Sequence, residues 1–227
     1  IATGVFDGSA SIGSFQLSSL GNTQDIFIAE IQPDGSVLWA NSIAGDGQDI
    51  VTGMCVDAAG KTFVSTQFRG NITVGNSSYS SLLNDTTHQP SYDILFFRLD
   101  NSGQVEWSLQ GADHYDSRGL KAVADAAGNY YALIEYSDTL AFQNQSLLPG
   151  GVNGIALLKL NNLGKLDWIR RFLSPKSEPN DITLKGDKIY VAGNFSGSLH
   201  LPDNGGFSFP TGYITQYFVA SFNFDGT

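Results

Sequence analysis

Apolar residues occur along the chain in short runs of about four to eight, separated by turn residues. Four of these runs share a pattern: "DIFIAEI" (25–31), "DILFFRL" (93–99), "GIALLKL" (154–160) and "QYFVASF" (216–222). Gly, Thr and β-branched residues interrupt every stretch that could form a helix. Apolar runs of this length, bounded by turn residues, are typical of strands. The pattern therefore predicts an all-β protein.

A turn glycine followed four residues later by a Trp comes after each of the first three runs. The segments are "PDGSVLWA" (33–40), "NSGQVEWS" (101–108) and "NLGKLDWI" (162–169), and they contain all three Trp residues of the chain. Each segment predicts a hairpin turn and the strand that follows it. We expect each Trp to pack against the neighbouring repeat. The predicted structural repeat residues are Gly35, Gly103, Gly164, Trp39, Trp107 and Trp168.

Two further motifs recur between the Trp segments. One includes "VDAAGKTFV" (56–64), "ADAAGNYYA" (124–132) and a degraded copy, "TLKGDKIYV" (183–191). The other includes "GVFDGSASIG" (4–13), "TQFRGNITVG" (66–75) and "GNFSGSLHL" (193–201). Each unit of about 60 residues therefore contributes four strands in a fixed order, which is typical of a β-propeller blade.

We predict a β-propeller of four-stranded antiparallel blades. A β-sandwich would not repeat one set of motifs at a fixed period, and a parallel β-helix repeats about every 20 residues. The predicted units are a partial blade 1–44, a blade 45–110, a blade 111–174 and a partial blade 175–227. Because propellers close with about four to eight blades, we expect the chain to be part of a larger propeller.

These motifs resemble the bacterial β-propeller repeat known as SBBP. "VAGNFSGSL" (191–199) and "DIFIAEIQPDGSVLW" (25–39) match its pattern most closely, and "VSTQF" (64–68) departs from it. The resemblance implies a secreted or cell-surface protein of a bacterium or archaeon with a scaffold or adhesion role. The family carries no established catalytic residues. The Gly–Trp ending also resembles the tryptophan-docking motif of quinoprotein-type propellers. Nothing in the sequence indicates the stacked aromatics or the calcium site of their cofactor site, and the longer repeat period of this chain departs from that family.

Composition excludes several function classes. The net charge is −10 and the 12 basic residues are scattered, so we expect binding neither to nucleic acid nor to an anionic membrane surface. No apolar stretch is long enough to span a bilayer, so we expect no membrane insertion. The single cysteine, Cys55, cannot form an internal disulfide and lies in an apolar run. We interpret it as a buried, unreactive thiol rather than a reactive one.

Motifs for catalysis, metals or cofactors are missing from the sequence, so we predict no catalytic residues, no metal and no cofactor. The three His residues are far apart, and no metal-ligand spacing joins them. The Gly–Trp spacing also differs from that of the sialidase box. One loop, "GADHYDSRG" (111–119), carries a cluster of polar residues that could bind a ligand on one face of the disc: Asp113, His114, Asp116 and Arg118. The alternative interpretation is a solvated turn between blades.

Five N-x-S/T sequons lie in predicted turns or insertions. The candidate glycosylation residues are Asn71, Asn76, Asn84, Asn144 and Asn194. In a chain rich in Asn, Ser and Thr, some of these sequons arise by chance. They agree with an extracellular location, which the resemblance also implies.

Two functional hypotheses follow. The first is a non-catalytic extracellular module: a scaffold, adhesin or filament subunit. Its partners would be other proteins or the remainder of a larger chain that completes the propeller. The second is a carbohydrate-binding or carbohydrate-active propeller, with a site in the central funnel lined by loops near 44–50, 111–119 and 174–180.

Overall fold

The computed structural model describes residues 1–21, 23–143, 145–148, 154–172, 176–201, 206–208 and 215–227. Within these residues the chain forms 22 β-strands and no helix. The prediction of an all-β protein is confirmed. None of the described segments is a helix long and apolar enough to cross a membrane.

Four antiparallel sheets form the core. Within each sheet the strands lie side by side in the order in which they occur along the chain. Sheet 1 contains β1 (Ala2–Phe6), β4 (Asp25–Ile31) and β5 (Val37–Gly45). Sheet 2 contains β6 (Asp49–Val56), β7 (Thr62–Phe68), β10 (Asp93–Leu99) and β11 (Val105–Ala112). Sheet 3 contains β12 (Arg118–Ala124), β13 (Tyr130–Tyr136), β16 (Gly154–Leu160) and β17 (Leu166–Phe172). Sheet 4 contains β18 (Lys176–Lys185), β19 (Lys188–Ser196) and β22 (Gln216–Asn223).

The remaining strands form four hairpins, one between the second and third predicted strands of each repeat. They are β2 (Ser9–Ile12) with β3 (Phe15–Ser18), β8 (Asn71–Val74) with β9 (Ser77–Ser80), β14 (Leu140–Phe142) with β15 (Gln145–Leu147), and β20 (Ser198–His200) with β21 (Gly206–Ser208). None of these hairpins is among the four strands per unit that the motifs predict, because their strands are only three or four residues long.

Two of these hairpins join one sheet to the next. Strand β8 pairs with β5 of sheet 1, and β14 pairs with β11 of sheet 2. Each hairpin thus lies within one predicted unit but extends the outer strand of the preceding sheet. The predicted boundaries at 44 and 110 fall close to the ends of β5 and β11, yet backbone hydrogen bonds cross them. Among the described residues no closed barrel or propeller forms.

Neighbouring sheets pack face to face through three apolar clusters. We call the face of a sheet that packs on the following sheet its front face, and the face that packs on the preceding sheet its back face. At the first interface, Ile26 and Ile28 of sheet 1 pack with Leu95 and Phe97 of sheet 2. The second interface joins the front of sheet 2 to the back of sheet 3, and the third joins the front of sheet 3 to the back of sheet 4.

Each Trp crosses one of these interfaces at its edge. The indole N–H of Trp39 donates to the carbonyl of Asn101 at 3.2 Å, and that of Trp107 donates to the carbonyl of Asn162 at 3.2 Å. The indole N–H of Trp168 donates to the carbonyl of Phe224 at 3.1 Å. In every case the acceptor lies in the turn that follows the third strand of the next sheet. The Trp side chains therefore fasten successive sheets to each other.

The turn glycines complete this contact. Gly103 and Gly164 have φ angles of 80° and 74°, in the left-handed region that favours glycine. A Cβ atom on Gly103 would lie 2.7 Å from the Trp39 ring, and one on Gly164 would lie 2.6 Å from the Trp107 ring. Gly35 has the same backbone conformation (φ 86°), but its Cβ would meet no atom within 4 Å. Two constraints therefore act on Gly103 and Gly164, and one acts on Gly35.

We predict that Gly103→Ala and Gly164→Ala destabilise the protein more than the matched variant Gly35→Ala. The left-handed backbone costs all three variants about 1–2 kcal/mol. The clash with the indole adds about 1–3 kcal/mol at Gly103 and Gly164 only. Urea unfolding followed by tryptophan fluorescence measures the difference. Equal losses for the three variants would contradict a close contact between the Trp rings and these turns.

Candidate functional site

A polar cleft opens between sheets 2 and 3, at the end where their first strands begin. It encloses about 310 Å³, at the lower end of the range for small-molecule sites. Its lining combines charged, amide and hydroxyl groups with one aromatic ring: Gln67, Tyr92, Asp116, Ser117, Arg118, Glu135 and Ser137. The lining comes from the segment that leads into β12, from the segment before β10, and from the ends of β7 and β13.

Three contacts hold Tyr92 in place. Its hydroxyl donates to the side-chain oxygen of Gln48, and its backbone N–H donates to Asp116 Oδ1 at 3.0 Å. The guanidinium of Arg69 lies over the ring, 4.1 Å from its centre. The Arg69 guanidinium also lies 3.7 Å from Asp116 Oδ1. One face of the Tyr92 ring is therefore already covered by a cation.

Arg118 and Glu135 form the charged wall of the cleft. Arg118 donates to Glu135 Oε2 through Nε at 2.8 Å and lies 2.7 Å from it through Nη2. The Arg118 side chain is about half exposed, whereas that of Glu135 is mostly buried. Such a charge-assisted pair fixes the guanidinium plane. Arg118 therefore presents a rigid donor surface to the cleft while its charge is largely balanced.

Two of the four residues predicted in the loop 111–119 line the cleft, and two do not. Asp116 and Arg118 do. Asp113 is fully buried behind them, where Oδ2 accepts hydrogen bonds from the backbone N–H groups of Ser137 and Asp138 at 3.1 Å. His114 lies 3.0 Å from the carbonyl oxygen of Leu83, and this contact raises its pKa. The structure thus brings Asp116 and Arg118 to the cleft and does not bring Asp113 or His114 to it, and ligand binding by this loop stays a prediction.

Five lining residues are not among the predicted site residues: Gln67, Tyr92, Ser117, Glu135 and Ser137. A signal for two of them exists, because Gln67 and Glu135 occupy the same position in the aligned segments "TQF" (66–68) and "IEY" (134–136). Tyr92 directly precedes a third strand, where no motif marks it. Its role depends on how sheets 2 and 3 stack, which no local pattern reveals.

A second polar feature lies at the corner between sheets 1 and 2. Asp49 is fully buried at the start of β6, and neither of its carboxylate oxygens has a hydrogen-bond partner among the described residues. Burial raises the pKa of Asp49 to about 9, and the negative charges of Asp25 and Asp46 add to this effect. Asp49 is therefore a neutral acid at pH 7 in the folded protein.

The equivalent corner between sheets 2 and 3 carries a serine. The backbone N–H of Asp49 donates to the carbonyl of Gln24 at 2.8 Å, and that of Ser117 donates to the carbonyl of Tyr92 at 2.8 Å, so the two positions match. The Ser117 hydroxyl also donates to the Tyr92 carbonyl at 3.3 Å. A small hydroxyl residue thus satisfies this corner, and packing alone does not require the carboxyl of Asp49.

The remaining sequence predictions concern metal ligands, the single cysteine and the sequons. No group of three or more metal-ligating side chains occurs in the part of the chain that the structure describes. Burial raises the pKa of Cys55 to about 12, so its thiol stays protonated. Among the sequons, Asn76 is exposed in the turn between β8 and β9, whereas the Asn71 side chain is hydrogen-bonded to Asp46. Asn144 lies outside the described residues.

No protein-family model matches the chain, and no curated protein matches it. The resemblance to the SBBP repeat therefore stays a prediction from the motifs.

We predict that Asp49→Ser changes the pH dependence of stability. The folded-state pKa of Asp49 is raised above its unfolded value near 4, so its contribution to stability is lost as pH rises from about 4 towards 9. The variant should be more stable than the wild type at pH 7, by about 1–3 kcal/mol. Urea unfolding of both proteins from pH 5 to pH 9 measures the difference, which should widen with pH. Parallel stability curves would show that Asp49 is ionised in the folded protein.

Proposed function

We propose that this chain is a β-propeller module that acts as a non-catalytic scaffold outside the cell, through protein–protein contacts. The observation that supports the propeller arrangement is that neighbouring sheets are close at their first strands and farther apart at their outer strands. The first strands β6, β12 and β18 run close beside one another, whereas the outer strands β11 and β17 approach each other at few positions. Sheets that are close at one edge and apart at the other stand around an axis, as propeller blades do.

The repeated interface supports the same arrangement. Each of sheets 1 to 3 packs its front face on the back face of the next sheet, and each Trp donates to the next turn. A single operation therefore relates each sheet to its neighbour. Repetition of one operation around an axis produces a propeller, and the resemblance to the SBBP repeat supports this proposal independently.

A scaffold fits the electrostatics of the cleft better than an enzyme does. The charged side chains there pair with one another: Arg118 with Glu135, and Arg69 with Asp116. Charges balanced in this way present little net charge to a substrate in the cleft. The low charged content, the protonated thiol of Cys55 and the exposed sequon at Asn76 agree with an extracellular address.

A carbohydrate-binding propeller is the second candidate, and the cleft is the observation that favours it. Gln67, Asp116 and Arg118 offer the planar polar groups that can hydrogen-bond sugar hydroxyls. The covered ring of Tyr92 counts against this candidate, because one of its faces is not free to stack on a sugar.

The propeller arrangement predicts unequal distances between sheets 2 and 3. Spin labels at the equivalent outer positions Glu106 and Asp167 should be farther apart than labels at the inner positions Val56 and Ala124. Each pair of positions is changed to cysteine in a Cys55→Ser background and spin-labelled. Pulsed electron paramagnetic resonance then measures both distances within one copy of the chain. Equal distances would mean parallel stacking and would refute the propeller.

The scaffold proposal predicts that the chain binds no glycan on an array and hydrolyses none. Wild type should be compared with Asp116→Ala and Arg118→Ala, and with Lys185→Ala as a matched control away from the cleft. Glycan binding that is lost in the two cleft variants and kept in the control would favour the carbohydrate-binding candidate instead.

A further inference from the structure

Two large apolar side chains on the last strand are exposed where the other sheets bury theirs. On β22, Tyr217 is 81% exposed and Val219 is 75% exposed. The residues equivalent to Tyr217 in sheets 1 to 3 are 0–1% exposed: Ile26, Ile94 and Ile155. The residues equivalent to Val219 are all fully buried: Ile28, Phe96 and Leu157. These positions belong to the front face, which each of the first three sheets covers with the following sheet.

The front face of sheet 4 continues across β19. Ala192 pairs with Val219, and Tyr190 pairs with Ser221, so these side chains share the face. The residues equivalent to Tyr190, namely Phe63 and Tyr131, are fully buried, whereas Tyr190 is partly exposed. The part of this face formed by Tyr190, Ala192, Tyr217 and Val219 thus carries apolar residues, as the other front faces do, but within the described part of the chain it lacks their cover.

On sheet 1 it is the back face that the described residues leave partly exposed. Ile31 is 43% exposed, whereas its equivalents in sheets 2 to 4 are 0–6% exposed: Leu99, Leu160 and Phe222. Phe6, on the same face, is partly exposed, whereas its equivalents are 0–2% exposed: Phe68, Tyr136 and Phe195. Back faces of the other sheets are covered by the front face of the preceding sheet.

We propose that the front face of sheet 4 in one copy of this chain packs on the back face of sheet 1 in a second copy. The chain itself shows three times which surface covers a front face, and it is always the back face of such a sheet. A second copy offers that surface, with Phe6 and Ile31 exposed upon it. The proposal rests on the propeller arrangement above, because it continues the same relation between neighbouring sheets.

The interface is heterologous, because two different faces meet. Such contacts close into a ring if the rotation allows it and otherwise form open chains. Two copies would bring together eight sheets, within the range in which propellers close. The strands in contact would be β19 and β22 of one copy and β1 and β4 of the other. On β1 and β4 the back face carries no exposed charged side chain among the described residues. On β19 the front face carries Lys188, whose ammonium donates to Asn223 Oδ1 at 3.1 Å. The exposed Asp181 and Lys185 lie on the same face of β18, outside the strands in contact.

Analytical ultracentrifugation of the wild type and of two charged variants tests the proposal. Val219→Asp disables the front face and Ile31→Asp disables the back face. Leu163→Asp is the matched control, because Leu163 is exposed in a turn of sheet 3 that belongs to neither face. We expect the wild type and the control to associate, and each of the two face variants to be monomeric by itself.

Mixing the two face variants gives the decisive result. The intact front face of Ile31→Asp meets the intact back face of Val219→Asp, so the mixture should form a one-to-one dimer that neither variant forms alone. An interface between two identical faces would not recover in this way. Because the substituted positions are exposed, circular dichroism should show that both variants keep the wild-type fold.

A monomeric wild type at every concentration, or a mixture that stays monomeric, would overturn the pairing of copies. Neither end face would then be covered by a second copy of this chain. This failure is distinguishable from failure of the propeller proposal, because the spin-label distances between sheets 2 and 3 are measured within one copy.

Discussion

The packing of one sheet on the next is the interaction on which the whole structure depends. The third strands carry apolar side chains on both faces, as in "DILFFRL" (93–99), where Leu95 and Phe96 point to opposite sides and are both fully buried. A strand that is apolar on both sides cannot leave either side in water without a large cost. Every sheet with such a strand therefore needs a neighbouring sheet on each of its two faces. The direction of stacking follows because a front face packs on a back face.

The edge contacts make this stacking specific. Apolar faces alone would tolerate sliding, because the hydrophobic effect has no direction. The indole hydrogen bond of each Trp to the next turn sets the register of one sheet on another. At Gly103 and Gly164 the missing Cβ lets the Trp39 and Trp107 rings lie against the turn backbone. Backbone pairing of β8 with β5 and of β14 with β11 adds a second, directional connection. The buried carboxyl of Asp49, which has no hydrogen-bond partner among the described residues, opposes stability at its corner.

Local patterns were sufficient to predict much of the fold and little of the site. The bounds of β4, β10 and β16 equal those of the apolar runs from which they were predicted, because such runs end at turn residues. The hairpin β8–β9 was missed because its strands are short and half polar. In the cleft, Asp116 and Arg118 share one loop and could be predicted together. Tyr92 and Glu135 come from different sheets, and only the stacking brings them to the same cleft.

The same physical rule connects the fold to assembly. The hydrophobic effect favours covering a front face with any apolar surface that fits its shape. It acts in the same way whether the covering sheet belongs to the same chain or to another copy. Tyr217 and Val219 repeat the chemistry of buried positions in a place where the described part of the chain supplies no cover. Exposed apolar patches of this kind mark interaction surfaces more often than they occur by accident. Association through the end faces would therefore require no surface chemistry beyond that which already holds sheets 1 to 4 together.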